Sequence, residues 1–442
     1  MHSYVSLSTL VRRLMSVIVS SPYRENSILA IARAAEAEKV LECFYSTLCF
    51  ANVEPWARRI PFWGGKIGKE LGRRAFAGIP ARRTRTVASL EELLHVSTRR
   101  TLSRQFPLLS IHLMYWVKER FARSVVSRLS RSTADCLIGM YAASWESFRE
   151  AGRHGVLRCL NFVNSHPVDQ NRYLRDLAGL RAVSHQELIP PWVARRVEAE
   201  LEEADMVLVP SRFVGEQLRG RGVSEEAIEQ IPYGVDLSIF YPNPAKPERA
   251  DSPLDCLCVC QMAHRKGIPL LLETARSMVG TPIRFHLLGP IVSPEVLENL
   301  PENVRYEGTG LPGEVAARMR QADLFVLPTL EDACALVVLE AMASGLPVVT
   351  TTHNGSGELL EQGVEGFVVP AGDRAALREA LVQLVDDAPL RKRMGDAARK
   401  KVEASYSWET YGRRVLQAIA KRRERAWSKI GPDPIGAGTI IS

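Results

Sequence analysis

Short apolar runs, each closed by a turn and followed by a stretch with helical spacing, recur along the whole chain. In the first half, MSVIVSSP (residues 15–22) predicts a strand and turn, the alanine-rich stretch 26–38 a helix, and KVLECFYSTLCF (39–50) a second strand. Buried strands are also expected at ADCLIGMYAAS (134–144), VLRCLNFVNSH (156–166) and ADMVLVPS (204–211), with helical segments between them. This half therefore reads as α/β with a parallel sheet. The pattern breaks at YGVDLSIFYPNPAKPERADSP (233–253), whose Pro, Asp and Asn predict an inter-domain linker. Strands resume at LDCLCVC, RFHLLGP, VRYEG, ADLFVLP, LPVVTT and GFVVP, again alternating with helices. The expected fold is thus two Rossmann-like, doubly wound domains facing across a cleft, with ligands held at the carboxyl ends of the strands. Expected boundaries are 1–240 for the first domain, 250–408 for the second, 409–430 for a closing helix that returns to the first, and 431–442 for a flexible tail.

Composition changes this picture little. A chain of 442 residues is too long for one core, which agrees with two domains. Its eight cysteines form no CxxC pair and no signal-peptide pattern opens the chain, so a reducing, cytoplasmic setting is expected. Cys256, Cys258 and Cys260 alternate like a metal cluster, but the period of two places them on one face of a buried strand. No apolar run approaches the ~18 residues of a membrane span. Charge is more informative: residues 1–200 hold 30 Lys and Arg against 17 Asp and Glu, whereas residues 201–442 hold 27 against 33. A basic first half would attract phosphorylated substrates, nucleic acid or the anionic inner face of a membrane, or serve only as a solvated surface.

Candidate chemistry concentrates in EDACALVVLEAMASGLPVVTT (331–351). Asp332 lies in a turn after the strand ADLFVLP, and Glu340 lies eight positions later on an apolar helix expected to start near Cys334. The free N–H groups at that helix start suit a phosphate. Glu340, about 9 Å further along the axis at ~1.5 Å per residue, could meet a diol. The layout fits a sugar nucleotide: hexose hydroxyls at Asp332, diphosphate at the amides of Cys334, Ala335 and Leu336, ribose at Glu340. Asp332 as a mere helix cap and Glu340 as a surface residue explain the spacing almost as well.

The wider segment DACALVVLEAMASGLPVV (332–349) resembles the hallmark of the retaining glycosyltransferases of family 4, which have the GT-B fold: an acid, seven residues, then Glu and a small-residue helix. Similarity continues in order at PSRFVGEQLRGRGVSEEAIEQIPYGVDLSIFYP (210–242), CQMAHRKGIPLLLETA (260–275), GSGELLEQGVEGFVVPAGD (355–373) and YSWETYGRRV (406–415), so it covers about residues 200–418. The resemblance implies that Lys266 binds the donor diphosphate. Many members have Arg where this chain has Gln261, so either the neighbouring Arg265 supplies the second cation or the site carries less charge. Asp332 replaces the usual Glu and Ala335 a common Gly. His166, in NFVNSH, matches a family histidine that faces donor sugar and acceptor. The glycine pair often found after the family's first strand is replaced by SSPYREN.

What the resemblance implies is transfer of a sugar from a nucleoside-diphosphate donor to the hydroxyl of a carbohydrate or lipid-linked acceptor, with retention and with the leaving phosphate helping to deprotonate the acceptor. The catalytic set would be His166, Lys266, Asp332 and Glu340. No DxD pair and no histidine ligand spacing is present, so neither metal nor other cofactor is expected, and no nucleic acid partner. Rival readings are a nucleotide-sugar epimerase on the same fold, a dehydrogenase, which would need a GxGxxG turn that the chain lacks, and a non-catalytic binding protein.

Overall fold

The computed structural model describes residues 15–47, 76, 78–92, 94, 107–178, 187–244 and 253–430. The end of the second expected strand, residues 245–252 of the linker and the expected tail 431–442 lie outside them. Among the described residues, the first sheet contains β1 (Val17–Ser20), β2 (Leu41–Ser46), β3 (Thr84–Thr86), β4 (Cys136–Met140), β5 (Leu157–Asn161), β6 (Met206–Val209) and β7 (Ile228–Gln230), in the order β3-β2-β1-β4-β5-β6-β7. The second contains β8 (Leu254–Val259), β9 (Ile283–Leu288), β10 (Val304–Tyr306), β11 (Leu324–Leu327), β12 (Val348–Thr351) and β13 (Gly366–Val369), in the order β10-β9-β8-β11-β12-β13. Every pairing is parallel. Helices cover both faces of each sheet, and central strands such as MVLV and LFVL are accordingly buried at every position.

β3 and β7 escape the sequence pattern because they are three-residue edges, TRT and IEQ, with no apolar run to mark them. Cys256 and Cys258 are buried in the core of the second domain as part of β8. Helix Trp408–Ile430 packs on the first domain: Tyr411 Oη donates to Asn161 Oδ1 at 3.4 Å, Arg422 to the Asp205 carbonyl at 2.8 Å, and Arg423 meets Asp135 at 3.0 Å. Its buried Tyr411, Val415 and Ile419 join Tyr233, Val235 and Phe240 in one apolar core continuous between the domains.

Each sheet reverses its strand order once, between β1 and β4 in the first and between β8 and β11 in the second. Crossovers leave such a point in opposite directions, so the loops after the two strands part and leave a crevice. In the second domain those loops are 260–267 and 328–335. Sequence positions more than sixty apart are thereby brought side by side.

Candidate active site

The turn after β8 is held by backbone geometry. Gly267 adopts φ 70°, and a Cβ on it would lie 1.9 Å from the Pro328 carbonyl oxygen, so only glycine lets the turn press against the end of β11. The Gly267 amide donates to His264 O at 2.8 Å, and Arg265 O accepts from Leu330 N and Thr329 Oγ1, both at 2.9 Å. This lays Lys266 directly on Asp332, with which its ammonium forms a hydrogen-bonded ion pair. Arg265 turns instead to Glu331, reaching its carbonyl at 3.1 Å and its carboxylate at 3.4 Å. Burial alone would raise the Asp332 carboxyl, but Lys266, Arg265 and the Cys334 amide hold it below its ordinary value. For the deeper Glu331 burial prevails over Arg265, and its carboxyl is raised.

The following helix, Leu336–Ala343, starts two residues later than the sequence suggests, because the preceding amides are used locally. The Cys334 amide faces the Asp332 carboxylate and helps to lower its pKa. Ala335 N donates to Asn354 Oδ1 at 3.3 Å, an oxygen shared with Ser356 N at 3.1 Å, and Ser356 Oγ donates to Ala335 O at 2.9 Å. The amides of Leu336 and Val337 have no partner among the described residues. Those two groups are the free donors at this helix start. Glu340 lies about one turn on, half-buried, without an ion pair or side-chain hydrogen bond among the described residues, and burial pushes its carboxyl up to about 7.

Across the cleft, His166 follows β5 and is completely buried. Its Nδ1 accepts from Val168 N at 3.3 Å, which puts the ring proton on Nε2, and Nε2 has no hydrogen-bond partner among the described residues. Burial first, then Arg221 against Asp169, lowers the imidazole to about 4, so it is neutral at neutral pH. The loop of His166 reaches the second domain through Ser165, whose side chain lies beside Glu331 and works against the rise of its carboxyl. Other cross-domain contacts are the Tyr173 and His353 rings, 4.6 Å apart, and Ser211 Oγ donating to Ala333 O at 2.7 Å. Gly355 makes this approach possible, since a Cβ there would fall 2.0 Å from Ala333 O.

Six of the sequence-selected residues, Arg265, Lys266, Asp332, Cys334, Ala335 and Leu336, therefore meet at the β8/β11 crevice. Glu340 extends the same line, while His166 stays buried within the first domain, its Nε2 3.9 Å from Glu198. Gln261 lines a cavity of about 230 Å³ between the domains with Tyr115, Glu187 and Arg265. A larger cavity of about 640 Å³ lies away from the Lys266–Asp332 pair, bounded by Phe213, Gln230, Asn354 and Glu358. The Lys266–Asp332 and Arg265–Glu331 pairs and the free amides of Leu336 and Val337 meet at the crevice, whereas the charged residues lining the larger space are Arg212, Glu216 and Glu358. Sequence reasoning passed over Glu331, Asn354 and Glu187. Asn354 stood within reach, immediately before GSGELL; Glu187 carried no local signal. Among the described residues no group of three or more His, Cys, Asp or Glu could hold a metal, and no helix is long and apolar enough to cross a membrane.

Comparison with known proteins fits this layout. Residues 253–387 match the model of the group 1 glycosyl transferases. The chain is 32% identical over 237 residues to the putative colanic acid biosynthesis glycosyltransferase WcaL of Escherichia coli K12, covering 49% of this chain and 57% of that one. It is 27% identical over 240 residues to the GDP-mannose-dependent monoacylated alpha-(1-6)-phosphatidylinositol monomannoside mannosyltransferase of Corynebacterium glutamicum, covering 49% and 62%. The chain thus spans little more than half the length of these curated relatives. Among solved structures, sucrose-phosphate synthase from Thermosynechococcus elongatus superposes with a TM-score of 0.64 at 19% identity, over 93% of this chain and 99% of that one. Anabaena HepE in complex with UDP and glucose superposes with a TM-score of 0.59 at 13% identity, over 92% and 99%. The shared architecture is the two-domain GT-B fold.

Proposed function

We propose, from the premise that the second domain belongs to the group 1 glycosyltransferases on a GT-B architecture, that this chain moves a sugar from a nucleoside-diphosphate donor to an acceptor hydroxyl with retention at the anomeric carbon. The observation that carries the reading is the Lys266–Asp332 pair at the β8/β11 crevice, followed, about one turn into the next helix, by a carboxylate with no partner among the described residues. A bound diphosphate would take Lys266 and the free amides of Leu336 and Val337. Lys266 would exchange its carboxylate for phosphate oxygens, and Asp332 would turn to the sugar hydroxyls. Glu340 would receive the ribose diol, whose hydroxyls donate to the ionised carboxylate and offset the burial that raises its pKa. Charge building on the leaving diphosphate is stabilised by Lys266 and the amides. Arg265, engaged by Glu331, shapes the turn and adds to the positive field.

The acceptor side follows from the first domain. Neutral His166 presents Nε2–H as a donor toward the sugar or the acceptor, and the leaving phosphate serves as the base on the same face. The names of the relatives support polysaccharide or glycolipid synthesis as the setting. The basic first half, with no membrane-spanning helix among the described residues, supports peripheral attachment to an anionic membrane face.

A thermal-shift screen of nucleotide sugars tests the reading, because a ligand that binds only the folded state raises its apparent stability. A hit would then be incubated with candidate acceptors and the product linkage read by NMR. The expected result is one donor that raises Tm and a product with the anomeric configuration of that donor. Inversion overturns the retaining assignment, an isomerised sugar formed without acceptor supports the epimerase, and no hit among common donors overturns the glycosyltransferase reading.

A further inference from the structure

We infer that Glu187, on the first domain, is a positioning residue that latches the two domains together through the same turn that carries Lys266. Its carboxylate is buried in a nest formed wholly by the second domain. Oε1 accepts from His264 N at 3.0 Å and Ser293 Oγ at 2.7 Å and faces His264 Nδ1 at 2.9 Å, while Oε2 accepts from Arg265 N at 2.8 Å. Hydrogen bonds to an ionised group are about twice as strong as neutral ones, and both oxygens are satisfied. Burial works against the charge, yet the Arg265 amide, Ser293 and His264 hold the carboxyl below its ordinary value.

Glu187 is itself fixed to the first domain. Two residues on, Ile189 exchanges a pair of hydrogen bonds with the side chain of Asn171, at 2.9 and 2.8 Å, and Asn171 lies on helix Pro167–Ala178, which begins immediately after His166. A short path of directional bonds thus runs from the helix behind His166 to Glu187 and on to the amides just ahead of Lys266. The turn does not need Glu187 for its shape, since Arg265 O is held by Thr329 and Leu330 and Gly267 packs on Pro328 within the second domain. What Glu187 adds is attachment. It makes the closed arrangement the one in which the nest is filled. A second carboxylate works in the opposite direction: Glu358 of the second domain accepts from Arg212 N at 2.8 Å and Phe213 N at 2.6 Å, at the start of helix Arg212–Arg219 of the first. That contact touches no part of the Lys266 turn and supplies a comparison.

The inference rests on the reading of Lys266 as a donor-phosphate cation, and the test separates the two. The full chain carrying Glu187→Gln, which keeps shape but must turn an amide N–H toward one of the donors, is compared with wild type, Glu187→Asp and Ser293→Ala. Nucleoside-diphosphate affinity is measured by calorimetry, domain separation by small-angle scattering with and without nucleoside diphosphate, and kcat and KM on the donor that wild type uses. A latch predicts nucleotide affinity within about twofold of wild type, kcat lower by about tenfold or more, and a larger radius of gyration, with Ser293→Ala intermediate. A fall in nucleotide affinity matching the fall in kcat, at unchanged scattering, overturns it by showing that Glu187 merely shapes the turn. Unchanged kcat and scattering also overturn it. If wild type binds no nucleoside diphosphate, the glycosyltransferase reading fails, while scattering alone still decides the latch.

Discussion

On the second-domain side of the cleft, charged groups come in pairs: Lys266 lies on Asp332 and Arg265 on Glu331, with Glu340 alone at the end of the line. On the first-domain side, several polar groups that follow adjacent strands are buried without a hydrogen bond among the described residues: Ser20 Oγ at the end of β1, Tyr141 Oη after β4 and His166 Nε2 after β5, the last 3.9 Å from Glu198. An unsatisfied buried polar group costs about 1–3 kcal/mol, and native proteins retain few of them. The contrast teaches how the two sides would handle ligands. A paired face gives up one partner for another, so it suits a ligand of fixed chemistry such as a diphosphate. An unpaired face has its donors and acceptors waiting, and their number and aim select the ligand.

The largest expected effect breaks the paired face. Lys266→Ala should lower turnover by about 10²-fold or more, since it removes a cation that stabilises developing charge. It also leaves Asp332 buried without its ammonium, and breaking such a pair commonly costs about 3–5 kcal/mol. Adding Asp332→Asn should restore most of that stability and none of the turnover. Recovery of turnover in the double variant would mean that Lys266 serves the fold and not the donor. The effect of His166→Asn on the unpaired face should be smaller, about tenfold in kcat, with nucleoside-diphosphate affinity unchanged. With its imidazole near 4, His166 should give the wild-type rate profile no limb near pH 6.5; such a limb that vanished in the variant would contradict the neutral-donor role.

Glu340 offers a sharper test in the empty protein. Its carboxyl holds a proton up to about 7 in the folded chain but only to near 4.5 when solvated, so the native state loses stability as pH rises between those values. Glu340→Gln should therefore raise the Tm of the ligand-free protein at pH 8, by about 2–6 °C for a contribution of about 1–3 kcal/mol, and the gain should vanish by pH 5. A gain independent of pH would mean that packing and not charge is responsible. The weakest effect concerns the basic first half. Binding to anionic vesicles should fall as salt rises, because exposed attraction is screened over ~8 Å at physiological ionic strength. Salt-insensitive binding would point to an apolar contact instead.

The same contrast explains what the sequence could disclose. Strands with continuous apolar runs are local patterns, and so is the spacing of the candidates Asp332 and Glu340 about one helix; Lys266 became a candidate only through the family resemblance. The edge strands TRT and IEQ lack such a pattern. The Lys266–Asp332 pairing joins residues 66 apart through the sheet's switch point, so the residues were legible but their mutual contact was not. Glu187 lay further still from view, because a lone glutamate 77 residues from its partner amide gains meaning only once the domains close. The start of helix Leu336–Ala343 was misplaced by two residues because Asn354, eighteen positions after Leu336, takes up the amide that would have opened it.

In the proposed function the donor lies along the second-domain face, with its diphosphate at Lys266 and its ribose at Glu340. Calorimetric titration of nucleoside diphosphate into wild type, Glu340→Gln and Asp332→Asn tests this most directly. Glu340→Gln weakens two charge-assisted bonds worth about 1.5–3 kcal/mol each when intact, so affinity should fall at least tenfold. Asp332→Asn should bind as tightly as wild type or more tightly, because Lys266 no longer has a carboxylate to leave before it meets phosphate. Equal losses in both variants, or a loss confined to Asp332→Asn, would contradict the placement and turn the donor the other way along the helix.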